Sequence, residues 1–175
     1  MFLHIPRFPL DIVLDTRAPK DLLISLPVPI SVLVVDDHDP LRASIVSTLK
    51  DEPDIQVIGE AKNGVEAVDK ARTLEPEVVI MDIGMPLMDG IEATEMITNT
   101  RHSPKVLIIS QYDEEEYIRN CMKAGASGYL LKDGLVSELS KAIRVVHAGG
   151  HFFTPCVAQR IVGFYLKQVV SAQHP

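Results

Sequence analysis

Polar side chains directly follow apolar runs at several places in this sequence: Asp36 and Asp37 after Val34-Val35, Asp82 after Ile80-Met81, Ser110 after Ile108-Ile109, and Lys132 after Leu130-Leu131. If the carboxylates converge they repel, because two unit charges about 4 Å apart cost about 4 kcal/mol at an effective dielectric of about 20. A hard divalent cation relieves that repulsion, and Mg2+ suits carboxylate, carbonyl and water oxygens. Such a cation also neutralises an incoming phosphoryl group and holds it in line with a carboxylate nucleophile. Lys132 adds a fixed positive charge and Ser110 a hydroxyl donor. Together the residue types describe a phosphoryl-transfer site in which an aspartate is the covalent acceptor.

Each member has an ordinary reading when taken alone. Asp36-Asp37 can cap a helix, Asp82 before Ile83-Gly84-Met85-Pro86 can be turn chemistry, and a lone lysine is usually solvated. The functional reading rests on their recurrence at the ends of successive apolar runs.

Those runs cover residues 30–35, 55–58, 78–81, 105–109 and 128–131. Most are continuously apolar, as in parallel strands covered on both faces. Helical spacing fills the gaps: Leu41, Ile45 and Leu49; Val65, Val68, Ala71 and Leu74; Ile118 and Met122; Leu135, Leu139, Ala142, Ile143 and Val146. Asn63 and Asp113 stand where helix caps are expected. Strands alternating with helices predict an α/β doubly wound parallel sheet, since each parallel connection needs a crossover. In such sheets function sits beyond the carboxyl ends of the strands, where all the candidate residues fall.

Residues 1–29 contain Pro6, Pro9, Pro19, Pro27 and Pro29 and are expected to form a loose arm, with an edge strand over 20–26 as a minor alternative. Residues 30–150 form the core domain. Residues 151–175 carry Val157, Ile161, Phe164, Tyr165 and Gln168 at helical spacing and predict one further helix with an apolar side.

Composition narrows the function classes. The 175 residues are 46% hydrophobic and 23% charged, which fits a globular protein with a core. A formal net charge of −7 argues against broad electrostatic binding of nucleic acid by this chain. Cys121 and Cys156 lack metal-ligand spacing and predict no disulfide framework. No apolar stretch has the length of a membrane span, and the amino terminus does not read as a signal peptide. The expected location is cytoplasmic, without membrane association.

The segments Val34-Val35-Asp36-Asp37-His38, Val79-Ile80-Met81-Asp82-Ile83-Gly84-Met85-Pro86-Leu87-Met88-Asp89-Gly90 and Ala124-Gly125-Ala126-Ser127-Gly128-Tyr129-Leu130-Leu131-Lys132-Asp133 resemble response-regulator receiver domains. The turn from Met85 to Gly90 is the most specific piece. Gly128-Tyr129-Leu130-Leu131-Lys132-Asp133 is similar to the NarL/FixJ subfamily, whose usual output is a LuxR-type helix-turn-helix. The resemblance implies a CheY-like, flavodoxin-like five-stranded parallel sheet of order 2-1-3-4-5 with helices on both faces. It implies that Asp82 accepts a phosphoryl group from a sensor histidine kinase. Asp36, Asp37, Asp82 and the Gly84 carbonyl would hold Mg2+, and Lys132 would pair with the acceptor. Ser110 and Tyr129 would act as the switch, although Tyr129 also reads as an aromatic filling a strand's flank.

The family's pattern further implies dimerisation or partner docking controlled by phosphorylation, with DNA reached only through an output domain. Residues 151–175 are too few for that domain, so the chain reads as a fragment of a transcription factor or as a stand-alone receiver. No enzymatic turnover is expected beyond its own phosphorylation and dephosphorylation. Gly84, Gln111 and Tyr112 depart from commoner receivers and leave the lifetime of the phosphorylated form open. Two rivals remain. One is a haloacid-dehalogenase-like phosphohydrolase built on Asp37-His38-Asp39, which leaves Asp82 unexplained; the other is a pseudo-receiver that keeps the fold without the chemistry.

Overall fold

The computed structural model describes residues 28–172, with the side chains of Val136 and of residues 167–172 excepted. Its elements are β1 Ile30–Val35, α1 Asp39–Lys50, β2 Ile55–Ala61, α2 Gly64–Leu74, β3 Val78–Asp82, α3 Gly90–Thr98, β4 Lys105–Ser110, α4 Glu115–Lys123, β5 Gly128–Leu131, α5 Leu135–His147, β6 Phe152–Phe153 and α6 Pro155–Ala172. The strands are parallel in the order β2-β1-β3-β4-β5-β6. The expected five-strand order is therefore present, with one addition. A two-residue strand, β6, lengthens the sheet beside β5, where Gly128 pairs with Phe152. Glycine is needed there, because a Cβ would stand 2.6 Å from the Phe152 carbonyl oxygen.

The period-2 alternation of side chains divides the core into two. Val32, Val34, Ile80, Leu107, Ile109 and Leu130 face α1 and α5, meeting Ile45, Leu49, Leu139 and Ile143. Leu33, Val35, Met81, Ile108 and Tyr129 face the other way, meeting Ala67, Ile97, Ile118 and Val157 from α2, α3, α4 and α6. Both faces are covered, which accounts for the unbroken apolar runs.

Local signals set several boundaries. The Asn63 side chain accepts from Glu66 N at 2.9 Å, and Glu66 reaches back to Lys62 N at 3.3 Å, so α2 opens on reciprocal capping. The Asp89 carboxylate accepts from Ile91 N and Glu92 N to start α3. At the end of α5, Gly149 takes a φ of +87°, and the N–H groups of Gly149 and Gly150 bond to the carbonyls of Val146 and Val145. That pattern is a Schellman motif and needs a residue free to adopt the left-handed conformation.

Two local expectations require correction. Asp113 does not cap α4: Glu114 holds the cap position without a side-chain hydrogen bond, and the Asp113 carboxylate pairs with Arg160 of α6. On α2 Gly64 and Ala67 are buried and Val68 and Ala71 pack partly buried against the same core, while Val65 and Leu74 are exposed. Gly64 packs against the loop after β3, where a Cβ would lie 2.7 Å from the Met88 carbonyl oxygen. The inner face of α2 has room only for small residues at that point. The suggested edge strand over 20–26 lies outside the described residues. Among the described residues, no helix is long and apolar enough to cross a membrane.

Candidate functional site at the carboxyl ends of the strands

The chain runs from β1 to β2 on one side and then to β3 on the other, so the connections diverge between the ends of β1 and β3. Such a divergence leaves a crevice. The acids flank it: one oxygen from each of Asp36, Asp37 and Asp82 lies within 4.8 Å of the other two. Asp36 and Asp82 are buried and Asp37 is exposed. Lys132, just beyond β5, places its Nζ 3.0 Å from Asp36 Oδ2 and 3.0 Å from Asp82 Oδ1. Burial raises the Asp82 pKa; Lys132 opposes that rise and the charge of Asp36 adds to it. Burial disfavours the Lys132 ammonium, but the hydrogen bond to Asp36 and the charge of Asp82 outweigh it, so its pKa stands above the ordinary value.

The backbone around the acids is held in place. Asp36 N donates to the Ala61 carbonyl at 3.2 Å, and Asp36 Oδ1 accepts from His38 N at 2.8 Å. Arg42 of α1 donates from Nη1 to the Asp36 carbonyl at 2.8 Å and from Nε to Glu60 at 3.1 Å, and also pairs with Asp39. This buried guanidinium fixes the loop that carries the acid pair. Sequence reasoning missed it, although Arg42, Ile45 and Leu49 share a stripe at i, i+3, i+7. On the β3 side, Gly90 N donates to the Ile83 carbonyl at 2.9 Å. A Cβ on Gly90 would sit 1.9 Å from the Asp82 carbonyl oxygen, so only glycine admits this approach. Between them, Leu87 turns at a φ of +70°.

Gly84 lies two residues beyond Asp82 in an exposed turn, with open space where a Cβ would be. Ser110 is buried at the end of β4, and its Oγ accepts from Tyr112 N at 3.0 Å. Tyr129 is fully buried, and its hydroxyl donates to the Tyr112 carbonyl at 2.7 Å. The structure thus gathers Asp36, Asp37, Asp82 and Lys132 into one cluster, while Ser110 and Tyr129 meet at the backbone of Tyr112. Asp39, which the phosphohydrolase alternative required, pairs with Arg42 and Lys62 outside that cluster. The donor set fits Mg2+, since it offers carboxylate oxygens on a sheet edge beside an exposed loop.

Comparison with known proteins identifies relatives in sequence and in fold. The response regulator receiver domain model matches residues 32–144. The chain is 40% identical over 139 residues to the transcriptional regulatory protein LnrK of Bacillus subtilis (strain 168), covering 79% of this chain and 63% of that protein. A two-component response regulator of the LuxR family from Aurantimonas sp. SI85-9A1 matches with a TM-score of 0.74 at 30% identity, covering 79% of this chain and 99% of that one. The response regulator domain of Thermotoga maritima CheB matches with a TM-score of 0.65 at 34% identity, covering 69% and 97%. The chain spans less than two thirds of the length of the curated relatives it matches. With its CheY-like sheet and this match over most of its length, the chain belongs to the response regulator receiver domain family of two-component systems.

Proposed function

We propose that this chain is a phosphoacceptor switch in which Asp82 takes a phosphoryl group from the phosphohistidine of a sensor histidine kinase. The observation that carries this reading is the grouping of Asp36, Asp37 and Asp82, with Lys132 within 3.0 Å of both buried acids. A carboxylate oxygen of Asp82 forms a bond to phosphorus as the phosphorus–nitrogen bond breaks and the imidazole leaves. Asp36, Asp37, Asp82 and the Gly84 carbonyl would hold Mg2+, which when bound offsets the negative charge gathered at the acceptor. Lys132 balances the carboxylates before transfer and the acyl phosphate after it. Hydrolysis of that acyl phosphate by water resets the switch, and no other substrate is turned over.

Phosphorylation adds about −1.5 to −2 charges and strong acceptor oxygens. Ser110 lies at the next strand end, and its hydroxyl would turn to donate to a phosphoryl oxygen. Tyr129, which bonds to the same loop backbone, would follow. Moving a two-state equilibrium from 1:99 to 99:1 needs about 5.5 kcal/mol of differential interaction, a scale that several charge-assisted hydrogen bonds at one site can reach. The output is transcriptional control through a DNA-binding domain, with a phosphorylation-dependent homodimer and a cytoplasmic location. The transcription-regulator relatives support that output.

Acetyl phosphate with Mg2+ tests the chemistry by intact mass. Labelling of the wild type that disappears with EDTA and in Asp82→Asn is the expected result. A folded wild type that binds Mg2+ yet takes no label would favour the pseudo-receiver.

A further inference from the structure

Two of the contacts that hold helix α6 lead back to the switch residues. Its first turn follows Thr154, whose N–H donates to the Tyr129 carbonyl at 3.2 Å. One helical turn further on, Arg160 forms an ion pair with Asp113 in the loop between β4 and α4. The Cys156 thiol lies 3.8 Å from the same carboxylate. That loop begins immediately after Ser110, whose Oγ accepts from Tyr112 N, while the Tyr129 hydroxyl bonds to the Tyr112 carbonyl. The Tyr112 ring stacks on Tyr117 of α4, with centroids 4.6 Å apart. The loop is thus gripped from the core side by Ser110 and Tyr129 and from the outer side by Arg160.

The contact between α6 and α4 combines strong and weak elements. Val157 is fully buried in the same core cluster as Tyr129 and Ile118, and Phe164 lies under the Arg119 guanidinium at 5.5 Å. Yet two buried polar atoms without a hydrogen-bond partner among the described residues, Arg119 Nε and Thr154 Oγ1, both belong to this joint. Each carries a desolvation cost that undocking would relieve. Between the two helices lies a groove of about 540 Å3 lined by Ile118, Met122, Ile161, Phe164 and Tyr165. The helix is seated by the buried Val157, the partly buried Ile161 and the Arg119–Phe164 contact, and it meets the loop after β4 at the Asp113 carboxylate through Arg160 and Cys156.

We propose that α6 is a strap docked on α4 by the Asp113–Arg160 pair, and that phosphorylation of the chain releases it. The inference rests on the reading of Asp82 as phosphoacceptor. When the Ser110 hydroxyl swings toward a phosphoryl oxygen, it withdraws the acceptor that holds Tyr112 N. The loop then shifts, the Asp113 carboxylate moves from Arg160, and α6 loses its outer anchor. Linkage makes the coupling reciprocal: if phosphorylation disfavours docking, docking disfavours phosphorylation by the same factor.

Amide hydrogen exchange on the full chain tests this, with beryllofluoride and Mg2+ as the phosphoryl mimic. Exchange over 156–166 in the wild type should rise several-fold on adding the mimic. In Asp113→Asn and in Arg160→Gln it should already be raised without the mimic, and the mimic should add little. Both variants should also reach a higher labelled fraction with limiting acetyl phosphate than the wild type. If the mimic alters exchange over 111–114 but leaves or lowers it over 156–166, the strap proposal fails while the phosphoacceptor reading stands. If neither variant loosens 156–166, the ion pair is not the anchor and the proposal fails on that ground. If acetyl phosphate does not label Asp82 at all, both readings fall together.

Discussion

The loops that follow β1 and β3 differ in construction from the loop that follows β4. The first two are pinned from several directions. Arg42 holds the Asp36 carbonyl, His38 N holds its carboxylate, Asp89 caps α3, and Gly90 packs against the Asp82 backbone. The loop after β4 hangs on the Ser110 and Tyr129 hydroxyls and on one ion pair to α6, and α4 starts without a side-chain cap. Rigid placement suits a reacting carboxylate, which must stay in line with its target. Bonds made by rotatable hydroxyls suit a segment that must change partners. One sheet edge thus carries a fixed site and a movable responder side by side.

Gly90→Ala should break the fixed side most severely. The added Cβ meets the Asp82 carbonyl oxygen at 1.9 Å, so the backbone must shift. Overpacking of this kind costs about 1–3 kcal/mol, and the top of that range is expected. Urea unfolding should show the loss, and acetyl phosphate labelling should fall with it because Asp82 moves. Arg42→Met comes next. It leaves the Asp36 carbonyl and Glu60 without their donor, for about 1–3 kcal/mol. Mg2+ affinity should weaken in the folded variant, measured by titration at a temperature where it remains native. Unchanged Mg2+ affinity would show that Arg42 supports the fold alone.

On the movable side, Tyr129→Phe removes the hydroxyl that donates to the Tyr112 carbonyl and interacts with Ser110, a loss of about 0.5–1.5 kcal/mol for each hydrogen bond. Labelling of Asp82 should persist, whereas amide exchange over 111–114 should rise. A labelling defect as large as that of Arg42→Met would erase the contrast between the two loops.

The smallest effect is expected at the opposite end of the sheet. A hydrogen bond from Ser31 N, helped by His147, holds the Glu77 carboxyl below its ordinary value of 4.5. A depressed folded-state pKa contributes stability above the unfolded value, lost as pH falls through the folded one. Glu77→Gln should therefore flatten the acid limb of a Tm-against-pH curve below about 4.5 and leave the labelling reaction untouched, because the residue is far from the acids in the fold.

Much of this was legible in the sequence for physical reasons. Strands buried on both faces read as continuous apolar runs, and the polar residues that end them fall at one edge of a parallel sheet. What escaped was decided by tertiary contacts. β6 is two phenylalanines long and has no period to detect. Asp113 has the local signature of a cap, yet an arginine far along the chain on α6 holds it. Arg42 reads as a surface cation until Asp36 and Glu60 close around it. Of the helically spaced Val65, Val68, Ala71 and Leu74, only Val68 and Ala71 pack against the core, and the close approach of Met88 to Gly64 was not legible from the spacing.

The central claim is that the covalent acceptor is Asp82, embedded between Lys132 and two further acids. Borohydride trapping of the acyl phosphate followed by peptide mapping tests it directly, because reduction marks the phosphorylated aspartate in place. The account predicts a single reduced residue at position 82, formed only with Mg2+ and a phosphodonor. Reduction at Asp37, or at no aspartate in a protein that has consumed donor, would contradict it.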